Sequence, residues 1–240
     1  MTDKPLDGRL ALVTGASRGI GAAIAESMAA RGAHVVLVAR TAKDLEGVEQ
    51  RIFDAGGAAT IAPLDLTQAD AIAKLATAIE GRWAALDVLV LNAGTLGTLG
   101  AVPAIDPAEM ARVLTLNVSA PAALIAAFDP MLRRSAAGKV IGLTSSVGRK
   151  PRAYWGLYGA SKAAFDTLLG AYGDEMAAIS RVRTAIIDPG ATRTVMRARA
   201  YPGEDPASVK EPSVVGERVA ELAVAGFEDG HRERVEPSQR

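Results

Sequence analysis

Thr14-Gly15-Ala16-Ser17-Arg18-Gly19-Ile20-Gly21 follows directly on an apolar run, Arg9 to Thr14 (RLALVT), and opens an Ala-rich stretch with helical spacing, Gly19 to Arg31. A glycine-rich turn is weak evidence when it stands alone. Between a first strand and a first helix it is strong evidence, because each part of the arrangement meets a physical need. Glycines allow a tight turn and a close backbone approach, since they lack Cβ. The start of a helix offers unpaired N–H groups and the positive end of a dipole, which together suit a pyrophosphate.

Working outward, apolar runs alternate with helical segments along the whole chain. The runs are His34 to Ala39, 58–65, 85–92, 139–145 and 181–188; helices are expected at 42–54, 68–80, 107–134 and 156–178. The runs are continuously apolar rather than alternating, as expected of parallel strands with helices on both faces. The expected fold is therefore α/β, a doubly wound parallel sheet in a single domain over residues 1–240. Two segments interrupt the rhythm. Residues 95–106 read as a loop at a strand's C-terminal end, and 195–212, with three prolines and mixed charge, read as a substrate lid. A short, charged seventh strand is expected around 232–236.

Composition narrows the possible functions. The chain has 240 residues, 49% of them hydrophobic, with 27 basic and 27 acidic side chains. This balance provides a core but no overall field to attract nucleic acid or an anionic membrane. No cysteine is present, which excludes disulfides and thiolate metal sites, and His34 and His231 are too few for a His-rich metal centre. No metal is expected. Neither an apolar leader nor a membrane-length stretch is read from the sequence, so a cytoplasmic protein acting on a small molecule is expected.

The end of the second strand bears on which dinucleotide is bound. An acidic residue there would bond a ribose 2′-hydroxyl; this chain has Ala39 followed by Arg40. A guanidinium suits a 2′-phosphate, and Arg18 is placed to close on the same group, so NADP(H) is favoured over NAD(H). Tyr158-Gly-Ala-Ser-Lys162 puts a phenol and an ammonium four residues apart on one helix face. At about 5 Å and an effective dielectric near 20 their attraction is roughly 3 kcal/mol, enough to pull a phenol about two pKa units towards neutrality. Ser145 ends the fifth run and is the favoured donor to a substrate carbonyl oxygen, with Ser146 as the alternative. Asn92, in Asn92-Ala93-Gly94, can brace the sheet edge. Asn117 lies within the helix expected at 107–134, where asparagine is a poor choice unless it has a task.

TGASRGIG, Asp65, NAG, Asn117, Ser145, YGASK and Asp188-Pro189-Gly190 together resemble the motif series of the short-chain dehydrogenase/reductase family in its roughly 250-residue form, in order, from residue 8 to about 194. The resemblance implies a Rossmann-type fold and hydride transfer between a nicotinamide and a carbonyl or alcohol. It assigns Tyr158 as acid/base, Lys162 as its tuner and holder of the nicotinamide ribose, Ser145 as substrate orienter, and Asn117 as holder of a relay water. For the cofactor it implies the turn residues Gly15, Ser17, Arg18, Gly19, Ile20 and Gly21, with Arg40. Asp65 and the main chain of Leu66 would meet the adenine. Asn92, Ala93 and Gly94 would support the cofactor, and Ile187, Pro189, Gly190, Thr192 and Thr194 would line its nicotinamide side. Two features depart from the family pattern: Thr184 stands where the family usually has Asn, and the C-terminus lacks the usual Gly-rich ending. A homodimer through 107–134 and 156–178, or a homotetramer, is implied. The lid cations Arg197, Arg199 and Lys210 would either greet an acidic substrate arm, as in 3-oxoacyl-carrier-protein reductases, or be solvated surface charge. A non-catalytic dinucleotide-binding regulator is the reading from another class.

Overall fold

The computed structural model describes residues 4–68 and 70–237. Seven strands form one parallel sheet: β1 (Leu10–Thr14), β2 (His34–Ala39), β3 (Ala58–Pro63), β4 (Val88–Leu91), β5 (Lys139–Leu143), β6 (Arg183–Asp188) and β7 (His231–Arg234). Their spatial order is β3-β2-β1-β4-β5-β6-β7. The order reverses between β1 and β4, and that switch point opens a crevice at the carboxyl edge.

Helices α1 (Gly19–Ala30) and α2 (Ala42–Asp54) cover one face together with α9 (Pro212–Ala225). There Val13, Leu37, Val90 and Ile141 pack against Ile24, Met28, Val48 and Val219. The other face carries α3 (Ala71–Glu80), α4 (Pro107–Leu114), α5 (Ala120–Arg134) and α7 (Gly156–Ile179). Leu12, Val36, Leu89 and Val140 point that way and meet Leu75, Leu124, Phe128 and Phe165. Neighbouring strand residues thus serve opposite faces, and since both faces are apolar the strands read as unbroken hydrophobic runs. Two short helices, α6 (Ser146–Arg149) and α8 (Val195–Ala200), rim the carboxyl edge.

Four expectations are corrected. The helix expected at 107–134 is interrupted by a π-helical turn at Thr115–Ser119, which holds Asn117. The same stretch, Pro107–Arg134, is long and apolar enough to cross a membrane, contrary to the sequence reading. Leu124, Phe128 and Met131 of this stretch are buried against the sheet. Residues 195–212 are not a plain loop: α8 and a 3-10 turn at Pro206–Ser208 form an excursion closed by a bridge between Thr192 and Lys210. Finally, α9 lies outside the sequence rhythm, although Pro212 in its first turn and Gly226 beyond its end mark both limits. The charged β7 forms, parallel to β6. Its exposed side chains, Arg232 and Arg234, discourage pairing at this edge.

Candidate active site

The glycine turn is tied to the far side of the crevice by one buried hydroxyl. Thr14 Oγ1 donates to Val90 O at 3.0 Å and accepts the N–H groups of Asn92 and Ala93 at 3.0 and 3.1 Å. Asn92 Nδ2 returns the link, donating to Thr14 O at 2.9 Å and Gly15 O at 3.3 Å. Gly15 has φ +68°, and a Cβ on Gly21 would stand 2.2 Å from Gly15 O, so the first turn of α1 lies directly on the loop before it. Arg18 caps α1 with extended backbone and no side-chain hydrogen bond to the first N–H groups. A cradle floored by glycines, at the uncapped start of a twelve-residue helix, fits a pyrophosphate. Ser17 is half-buried beside it. Gly19 faces Thr194, whose methyl group is 3.4 Å from where a Cβ would be.

Arg18 and Arg40 are both exposed, on the turn and just past β2. Asp65 Oδ1 accepts the Thr67 N–H at 2.9 Å and hydroxyl at 2.7 Å. Those bonds hold its carboxyl below the usual range, with a smaller contribution from Arg40. Leu66 is buried, its side chain in the core of the α3–α5 face.

Across the crevice, Ser145 has extended backbone at the head of α6, and Thr144 N donates to Ile187 O at 2.9 Å. Ser146 Oγ accepts from Arg152 Nη2 at 3.4 Å. Lys162 is 5% exposed; its Nζ donates to Leu143 O at 2.8 Å and stands 3.8 Å from the Cβ position of Gly94. The ammonium therefore sits at the ends of β4 and β5. Desolvation draws its pKa down to about 8, with Asp166, one turn on, pulling the other way.

Tyr158 shows the largest disagreement with expectation. It is 7% exposed, packed with Leu96 and Val147 beneath Leu99, Trp155, Met196 and Ala200. Burial raises the phenol's pKa, and Asp188 adds to the rise. Lys162 Nζ is 5.9 Å from the Tyr158 ring centre and bonded to a carbonyl, so its attraction does not offset desolvation of the phenolate. The expected shift towards neutrality is not produced by these side chains.

Asn117 is 1% exposed and fully engaged. Its Oδ1 accepts Thr95 N–H at 2.8 Å, while Nδ2 donates to Thr95 O and to Ser161 Oγ, both at 2.9 Å. Ser161 Oγ in turn donates to Tyr158 O at 2.8 Å. The amide thus braces the loop after Gly94 against α7. Thr14, Thr95 and Ser161 are contributors that the sequence reading missed. Two of them lie inside the quoted motifs, as small hydroxyls at a strand end and in a buried helix turn.

At the end of β6, Asp188 Oδ1 accepts Gly190 N–H at 2.9 Å, and beyond it Thr192 Oγ1 donates to Pro189 O at 3.0 Å. Thr194 caps α8, accepting Arg197 N–H at 3.1 Å. Ile187 has no exposed surface; its side chain belongs to the core and does not line the crevice. In the excursion at 195–212, Arg197 grips Glu204 with two bonds, at 2.7 and 2.5 Å, and stacks 3.7 Å from the Tyr201 ring centre. Lys210 Nζ donates to Ala191 O at 3.1 Å. Both side chains hold the excursion's own structure.

The family described as short chain dehydrogenase matches residues 9–205. The oxidoreductase YciK of Escherichia coli (strain K12) is 38% identical over 211 residues, covering 87% of this chain and 83% of that protein. A short chain dehydrogenase from Salmonella enterica serovar Typhi superposes with TM-score 0.92 at 34% identity, covering 99% of each chain. A metagenomic short-chain oxidoreductase solved with NADP superposes with TM-score 0.85 at 35% identity, over 98% of this chain and 100% of the other.

Proposed function

The chain belongs to the short-chain dehydrogenase family, and from that premise we propose an NADPH-dependent carbonyl reductase in which Tyr158 is the proton donor. Membership makes it an oxidoreductase acting on CH–OH and C=O groups with a nicotinamide dinucleotide. When bound, the dinucleotide supplies the hydride. The proposal rests chiefly on one placement: Lys162 is buried with its ammonium at the ends of β4 and β5, one helical turn after Tyr158 and beside the switch point.

The start of α1 and the glycine turn hold the pyrophosphate. Arg18 and Arg40 receive the 2′-phosphate, with no acid at Ala39 to repel it. The NADP complex of the metagenomic relative supports this preference. Asp65 and the Leu66 main chain border the adenine, and Gly94, Pro189, Gly190, Thr192 and Thr194 surround the nicotinamide. Ser145 donates its hydroxyl hydrogen to the substrate oxygen. It is favoured over Ser146, the first residue of α6, because it stands one position nearer the end of β5. Tyr158 then delivers its proton to the developing alkoxide. A phenol held neutral by burial is in the right state for this donation, and Lys162 stabilises the phenolate that remains. Asn117 acts as a brace through its amide, which leaves its main chain as the part able to hold a relay water.

Replacing Tyr158 with Phe should lower kcat by about 10²- to 10⁴-fold while NADPH affinity changes little. Turnover equal to the wild type removes Tyr158 from the reaction. A higher kcat/KM with NADH than with NADPH removes the cofactor preference. The intact Ser145, Tyr158 and Lys162 argue against a non-catalytic regulator. Comparing acetoacetyl thioesters with simple ketones separates a 3-oxoacyl reductase from other carbonyl reductases.

A further inference from the structure

The cations around the lid are unequally committed. Arg197 is neutralised by Glu204, Arg193 pairs with Glu211, and Lys210 is bonded to a carbonyl. Arg152, six residues before Tyr158, reaches no carboxylate among the described residues. Its Nη2 lies 3.4 Å from Ser146 Oγ and its Nη1 3.5 Å from Tyr201 Oη, both at the outer limit of hydrogen bonding. A guanidinium has five N–H donors in a fixed fork, so most of its capacity here is unused. Those two oxygens belong to the turn that carries Ser145 and to the end of α8. Arg152 therefore spans the mouth of the crevice, directly beside the catalytic turn.

The wall under this fork is apolar. The Trp155 ring lies 5.7 Å from that of Tyr201 and 6.1 Å, edge-on, from that of Tyr158. Tyr154 next to Trp155, Val102 facing Gly156 and Val195 at the start of α8 leave 66%, 66% and 58% of their surface open. Tyr154 has φ +69°, alone among the described non-glycine residues in the left-handed region, a conformation costing on the order of 1–3 kcal/mol. It is held by the Gly100 N–H, which donates to Tyr154 O at 3.0 Å. A ligand site built of apolar walls with one convergent ionic group selects molecules having both features.

We propose that Arg152 is a specificity-determining residue that binds a carboxylate on the substrate. The substrate class is then an apolar or aromatic carbonyl compound whose body lies against Trp155 and Tyr201 and whose acidic group engages Arg152. This rests on the carbonyl-reductase reading of the same crevice, but the anion site can be tested by binding alone. Two tryptophans are present, Trp83 and Trp155, so a Trp83→Phe background makes Trp155 a local fluorescence reporter. Benzoate and benzamide, equal in shape and different in charge, are titrated with and without NADP⁺. Benzoate should bind at least about tenfold tighter, Arg152→Gln should bring the two within about twofold, and Arg152→Lys should keep part of the preference. Equal affinities, no binding of either probe, or a preference that survives Arg152→Gln would overturn the proposal. Preference for benzoate through Arg152, in a protein that reduces no carbonyl compound, would refute the reductase reading and leave the anion site standing.

Discussion

The two sides of the crevice are built from different materials. On the β1–β2 side the site is backbone: glycines, free N–H groups at the head of α1, and arginines left in water. On the β4–β6 side it is buried side chains, among them Tyr158, Lys162 and Asn117, whose properties depend on what encloses them. Backbone sites tolerate no added volume, whereas side-chain sites tolerate shape changes but respond sharply to charge and pH.

Gly21→Val should have the largest effect. Its Cβ would stand 2.2 Å from Gly15 O and 2.5 Å from Asn92 Nδ2, so the turn must move. Displacement of a binding turn by about 1 Å costs on the order of 100-fold or more. NADPH binding, measured by titration calorimetry, should fall below detection. Binding within a few fold of the wild type would mean that the turn is not the phosphate cradle.

Lys162→Met tests the other side, and its two effects should run in opposite directions. Activity should drop about 100-fold through loss of phenolate stabilisation. Stability at pH 7 should rise, by about 1–3 kcal/mol, because a buried charge is removed. The sign follows from linkage. The folded pKa of Lys162 is lowered to about 8 from 10.5, so below pH 8 the folded state carries a proton that it binds poorly. Wild-type stability should therefore climb between about pH 8 and pH 10, and its deficit against Lys162→Met should shrink. Denaturant melts showing a constant gap across that range would contradict the assigned burial effect.

Arg40→Ala should reduce kcat/KM for NADPH by about tenfold and leave NADH nearly unchanged, since one charge-assisted contact is lost from an exposed site. Equal losses with both cofactors would place Arg40 in general binding instead. The smallest effect should come from Glu204→Gln, which weakens the bonds that hold Arg197 in the 195–212 excursion. A partly exposed ion pair contributes little, so KM should change only about two- to threefold with kcat unaltered. A large fall in kcat would show that the lid also shapes the chemistry.

Much of this architecture is legible from residue order. The glycine turn, the alternation of runs and helices, and the YGASK spacing each rest on local rules of sterics and periodicity. Asn117 was conspicuous as a helix misfit, yet the π turn around it follows from its bonds to Thr95 and Ser161, which are distant in the chain. Ile187 was grouped with the nicotinamide lining by motif position, but its side chain points into the core. The arginines of 195–212 read either as substrate-facing or as solvated charge; Glu204, seven residues on from Arg197, occupies one of them.

Chain order alone made legible the alternation of parallel strands and helices, the glycine turn before α1 and the placing of Tyr158 and Lys162 on one helix face, because each rests on the spacing of residues near in sequence. The raised pKa of Tyr158, the lowered pKa of Lys162 and the absence of a carboxylate partner for Arg152 among the described residues were decided only by folding. Each is an electrostatic property, and such properties depend on how much water and which opposite charges remain near a group once distant segments have packed around it.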